Sequence, residues 1–281
     1  MKIIYIIPFA VIVAIYCIIS DSVKNYTTNN VLPSETPNIN ILDSYSEFID
    51  DRAFEYISRI YSDIDFSSNF KQGDHSVYAN YKAQYLKLLE CKIPFKSKGI
   101  EYYIDEYIYG DYEPEKYIYY FFDMDDDSLP ELCIENEMGY IYIMKYLPDS
   151  DEVILWHETF SSWTELLGSE KLWFYSGTSP IKYAFYSLDK NGRVEYSVWL
   201  YIEPNESNTK YLLTLPEYSD KTNDEIPKDI KAQSIEKDSH YYYRVTENQW
   251  DKLTKKLFYS KNIAKENILK MQLTYKELFN C

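Results

Sequence analysis

In the stretch FFDMDDDSLPEL, residues 121–132, Asp123, Asp125 and Asp127 occupy alternate positions and Glu131 lies four beyond the last of them. Carboxylates at the first, third, fifth and ninth places of a short loop can aim hard oxygens at one point. A calcium ion asks for this, since it takes six to eight oxygen ligands in loose geometry. The backbone carbonyl of Leu129, at the seventh place, can add another oxygen. Without a cation, unit charges 4 Å apart repel by about 1 kcal/mol in water and about 4 kcal/mol near a protein surface. A divalent ion turns that repulsion into attraction and would staple together the chain on either side. The competing reading is an acidic turn that simply faces water. The loop's position directly between YIYYFF and LCI, with no glycine spacer, favours the metal. Magnesium fits less well, because it demands near-octahedral order and the loop offers many carboxylates instead.

Segment YFFDMDDDSLPELCIE resembles the strand–loop–strand element Asp-x-Asp-x-Asp-Gly-x-x-Glu/Asp of FG-GAP and VCBS-type repeats. It is closer still to tyrosine-rich exported proteins and lipoproteins of Gram-positive bacteria, in which a helical segment precedes a single such loop. The matching positions are Asp123, Asp125, Asp127, Pro130, Glu131 and Leu132. The resemblance implies that the acidic positions bind calcium. Two positions depart from the pattern: Asp126 and Ser128 stand where glycine is preferred. Ser128 must either accept a left-handed backbone or widen the turn, and Asp126 is expected to point outward. Only one such loop is present, which argues against a full propeller of repeats.

A second concentration of chemistry lies in VILWHETFSSWTELLGSEKLWFYSG, with Trp156, Trp163 and Trp173 beside His157 and Glu158. Exposed aromatic rings on a sheet can stack on sugars, so this region could bind a carbohydrate or line the pocket of a cell-envelope hydrolase. Against catalysis, neighbours on one strand point to opposite faces, so His157 and Glu158 would not act together. His-Glu-Thr-Phe is not the zinc motif His-Glu-x-x-His, and Ser161 and Ser162 lack the glycines of a nucleophile elbow. No catalytic residue is assigned. The tyrosines of 102–120 read as core and sheet facing before they read as a recognition surface.

The elements that must hold the acidic loop are legible from periodicity. Ser44 and Glu47 form a capping box, and apolar residues at helical spacing follow to Tyr61, predicting a helix over 43–62. Val77, Tyr81, Tyr85, Leu88 and Leu89 predict a second over 76–91, ending before Pro94. From about 100 to 245 the period shifts toward two, and nine strands are expected: 117–122, 131–135, 140–146, 153–158, 172–175, 182–188, 194–202, 210–214 and 240–245. LPDSD and DKNGR read as hairpin turns, the latter through Asn191-Gly192. Residues 216–239 read as a long polar loop. Thr246 and Gln249 cap a C-terminal helix expected over about 247–259, with Trp250, Leu253 and Leu257 inward. Beyond it, Leu269, Met271, Leu273 and Tyr275 alternate as a strand would, whereas TYKELF looks helical. The fold class is α+β: a helical pair packed on a meandering antiparallel sheet, with a C-terminal helix, forming a single domain over 42–281.

The 281 residues carry a formal net charge of −16, and 32 of them are tyrosine. That acidity and the lack of any long basic run argue against a nucleic-acid partner. Residues 3–20 contain no charged side chain, Lys2 precedes them and Asp21 follows. Residues 1–22 therefore read as a signal peptide or signal anchor, with 23–41 a polar linker and the remainder outside the cytoplasm, secreted or held to the membrane through the N-terminal segment alone. Lipidation at Cys17 is disfavoured by the bulky Tyr16. Cys91, Cys133 and Cys281 allow one bridge at most, with the pair left open. The expectation is a calcium-binding extracytoplasmic module with a structural or ligand-binding role, whose partner would be a cell-envelope glycan or protein.

Overall fold

The computed structural model describes residues 47–67, 70, 75–110, 113–159, 164–177, 180–204, 209–219, 226–237 and 240–280. The export segment, the linker, Ser44, Trp163 and Cys281 lie outside them. The architecture is α+β, with N-terminal helices, a mixed six-stranded sheet, an antiparallel eight-stranded sheet and a long C-terminal helix.

Helix α1, Asp51–Asp63, starts later than its periodicity suggested. Its cap is Asp50, whose carboxylate accepts the Ala53 N–H, and Asp is as good an N-cap as Ser. Residues 47–50 are not helical because their amides are used elsewhere: Ile49 N–H bonds to the Arg244 carbonyl and Asp50 N–H to the Gln233 side chain. Ala53, Ile57 and Tyr61 form the buried stripe. Helix α2, His75–Leu89, buries Tyr81, Tyr85, Leu88 and Leu89.

The first sheet comprises β1 (Phe95–Ser97), β2 (Ile100–Tyr102), β3 (Ile118–Phe122), β4 (Glu131–Glu135), β5 (Ile141–Leu147) and β6 (Glu152–Glu158), in the order β2-β1-β6-β5-β4-β3. It is antiparallel except where β1 runs parallel to β6. The second comprises β7 (Thr164–Gly168), β8 (Lys171–Ser176), β9 (Ile181–Leu188), β10 (Val194–Glu203), β11 (Lys210–Thr214), β12 (Glu217–Tyr218), β13 (Ile235–Lys237) and β14 (His240–Val245), all antiparallel. The expected single meander is thus two sheets. The predicted loop 216–239 contains β12, β13 and a short helix, α3 (Lys228–Lys231).

The apolar runs IYYFF and LCI are continuous because the first sheet is buried on both faces. Tyr119, Phe121, Leu132 and Ile134 face the core under α2. Tyr120, Phe122 and Cys133 face a second core shared with Leu166, Leu172 and Leu188 of the other sheet. Full burial of each such side chain contributes about 1.5–3 kcal/mol before entropic costs. A third core holds α1 and α4 (Glu247–Met271) against the far face of the second sheet. Helix α4 has the expected Thr246–Gln249 capping box but continues past 259 to Met271, because Ala264 and Ile268 extend its buried stripe. Leu273 then makes an isolated bridge to Tyr119, and TYKELF forms α5 (Tyr275–Asn280). Cys91 and Cys133 are free thiols, and Cys133 is fully buried.

The DKNGR turn between β9 and β10 docks on β6. Gly192 has φ +72°, and a Cβ there would lie 2.1 Å from the Trp156 carbonyl oxygen, so neither the conformation nor the space admits a side chain. Trp156 donates its indole N–H to the Lys190 carbonyl, and His157 donates from Nδ1 to that of Gly192.

Candidate metal centre

Strands β3 and β4 pair with Phe122 opposite Glu131, so residues 123–130 form the connecting loop. Its acidic side chains organise its backbone. The two Asp123 carboxylate oxygens accept the N–H groups of Asp127 and Ser128, each at 3.0 Å. Glu131 accepts the Met124 N–H at 2.6 Å, and Asp127 accepts that of Leu129 at 2.8 Å. This winding puts Asp126 at φ +60° and Ser128 at φ +73°, so the chain takes the left-handed backbone at both positions where the calcium-loop pattern prefers glycine.

The loop is anchored on three sides. Met124 is fully buried in the core between the sheets, and its carbonyl accepts the Glu170 N–H at 2.6 Å. The Ser169 hydroxyl donates to the Asp123 carbonyl at 2.5 Å. From α2, Tyr85 donates its hydroxyl to the Pro130 carbonyl and accepts the Tyr146 N–H, both at 3.0 Å.

Asp123, Asp125 and Glu131 converge: each offers a carboxylate oxygen, and these atoms lie within 4.8 Å of one another. Asp123 and Glu131 are each 1% exposed. Two of the triad's oxygens, Asp125 Oδ1 and Glu131 Oε1, are buried and accept no hydrogen bond among the described residues. Burial raises the carboxyl pKa of all three. For Glu131 it acts with the charge of Asp125 and pushes the value to about 8; for Asp123 it is opposed by the Ser128 N–H, and for Asp125 by Lys145. Buried acceptors without a hydrogen bond and carboxylates crowded against their preference for ionisation are a standing cost, which a positive charge at their centre relieves. The triad could hold a metal ion, and its all-oxygen donor set suits a hard cation.

Asp127 lies outside the converging triad. One of its oxygens bonds the Leu129 N–H and the other contacts Lys145. Leu129 enters the loop's bonding through that amide.

Lys145, on β5, was not singled out from the sequence. It sits one step beyond the Leu132–Met144 pair, across from Glu131. Its ammonium contacts Asp125 closely, Asp127 Oδ2 at 2.5 Å and Glu131 Oε1 at 3.5 Å. Burial alone would lower its pKa, but hydrogen bonds to Asp125 and Asp127 more than offset this and hold the amine charged. The signal in the sequence is a lone lysine inside the apolar strand IYIMKYL.

The tryptophan region has a different character. Trp156 and Trp173 are 6% and 7% exposed and belong to separate cores, so their rings are occupied by packing. His157 and Glu158 diverge as strand neighbours should: the first is buried against Gly192, and the second accepts a hydrogen bond from Tyr107. No family model, curated protein or solved structure matches the chain.

Proposed function

We propose that this chain is an extracytoplasmic module that binds one calcium ion in the β3–β4 loop, with Asp123, Asp125 and Glu131 as side-chain ligands. Asp127 and the Leu129 carbonyl complete the shell once the ion is in place. The observation that carries this reading is the convergence of three buried carboxylates, two of them with an oxygen that accepts no hydrogen bond. One oxygen from each of the three lies within 4.8 Å of the others, close enough to share a single hard cation. The resemblance of the loop to calcium-binding strand–loop–strand elements supports the choice of ion. The uncharged run of residues 3–20 supports a location outside the cytoplasm, where calcium is abundant.

The role of the ion is structural. The loop joins β3 to β4 and carries Met124 into the core between the sheets, so fixing it fixes that junction. Calcium at ten to a hundred times its dissociation constant would add about 1.4–2.7 kcal/mol to folding stability. For a domain of this size, that raises the melting temperature by roughly 3–10 °C. Thermal unfolding in calcium and in chelator tests the reading. Asp125→Ala should abolish the shift, and equal melts of the native chain in both buffers would refute the site.

A further inference from the structure

The ammonium of Lys145 stands where a bound ion would be drawn. It reaches carboxylates on both limbs of the loop, Asp125 and Asp127 on one and Glu131 on the other. Two of these side chains, Asp125 and Glu131, belong to the converging triad. Lys145 is 12% exposed and Asp125 only 5%, whereas Asp127 is 35% exposed and marks the open edge of the site. The lysine does not satisfy the site. Asp125 Oδ1 and Glu131 Oε1 still accept no hydrogen bond, although the Asp125 side chain is more than nine-tenths buried and belongs to the centre. An ammonium has three donors and one charge, whereas a calcium ion gathers six to eight oxygens with two.

We propose that Lys145 is a tethered competitor for calcium: its ammonium occupies the acidic centre in the metal-free protein and is expelled toward the Asp127 edge when the ion binds. This rests on the calcium reading above and adds its regulation. The flexible four-carbon stem of lysine permits the exit, while the strand that carries it stays paired to β4 and β6. Exchange has two consequences. In the metal-free protein the lysine keeps the carboxylates from splaying, so the fold survives without the ion. The displaced contacts are also subtracted from the binding free energy, which shifts the affinity away from that of cytosolic sensors and toward that of extracellular calcium modules, about 10⁻⁴–10⁻³ M.

The test is calcium binding by equilibrium dialysis on the native chain and on Lys145→Met, which keeps the stem and removes the charge. The variant should bind at least about tenfold more tightly and melt at a lower temperature in chelator. In parallel, the native chain is treated with an amine-acetylating ester, and labelling of Lys145 is followed by mass spectrometry. That measurement does not depend on the variant folding. Labelling should be slow in chelator and several-fold faster in calcium. Unchanged or weaker binding by Lys145→Met, or a labelling rate unmoved by saturating calcium, would overturn the exchange while leaving the calcium site standing. If neither protein binds calcium, both proposals fall, and Lys145 is the loop's permanent counter-ion.

Discussion

The Ser169 hydroxyl donates a 2.5 Å hydrogen bond to the Asp123 carbonyl, and so the turn between β7 and β8 in one sheet grips the first residue of the acidic loop in the other. Ser169 and Asp123 are both buried, so water does not readily replace this bond. Ser169→Ala leaves a buried carbonyl short of a donor and should cost about 1–3 kcal/mol in urea unfolding. A loss below a few tenths of a kcal/mol would mean that the Met124–Glu170 backbone bond alone holds the two sheets at this point.

Ser128 holds φ +73° with its amide bonded to Asp123. A left-handed backbone costs a non-glycine residue roughly 1–2 kcal/mol. Ser128→Gly keeps the amide and removes most of that strain, although the unfolded chain gains freedom. The net expectation is a variant more stable by about 0.5–1 kcal/mol, read as a higher melting temperature in chelator. A variant less stable than the native chain would show that the serine side chain contributes more than its backbone costs.

Gly192→Ala should be among the most damaging single changes. A Cβ would stand 2.1 Å from the Trp156 carbonyl oxygen, against backbone that cannot move without disturbing β6. Strain and overpacking together suggest a loss of about 3 kcal/mol or more. The paired effect should be loss of the Trp156 indole and His157 bonds to the same turn, visible as increased amide exchange along β6. Native-like exchange in this variant would contradict the docking described above.

His157 is buried, and burial lowers its pKa from the usual 6.5 despite the Gly192 carbonyl beside it. A base with a depressed folded pKa binds fewer protons folded than unfolded, so acid favours unfolding. This contribution is complete above about pH 6.5 and is lost as the pH falls below it. His157→Asn keeps a donor for the carbonyl and does not titrate. Its unfolding free energy should therefore decline less between pH 7.5 and 5 than that of the native chain. Parallel pH profiles would show that the imidazole takes up its proton without opening the structure.

The strand ladder was legible because its signals are local. Alternation and short turns marked β4, β11 and β14 to the residue, and Asn191-Gly192 marked the β9–β10 hairpin. Strands β1, β2 and β13 have three residues each, too few for a period to show. The division into two sheets was not legible, because a strand's sequence reports which faces are buried and not which partner buries them. The Asp50 cap was hidden for a related reason: Ser44 and Glu47 offer a good local box, but Ile49 and Asp50 are drawn off by Arg244 and Gln233 far along the chain. At the candidate site the three aspartates and Glu131 were legible from spacing. Lys145 was not, since only the register of β4 against β5 brings it across from Glu131.

Isothermal titration of the purified chain with calcium tests the central claim most directly. One ion per chain should bind saturably, and the heat should vanish in Asp125→Asn, which keeps the shape of the side chain and removes its charge. A native chain that takes up no calcium at millimolar concentrations, or an Asp125→Asn variant that binds as the native chain does, would contradict the account.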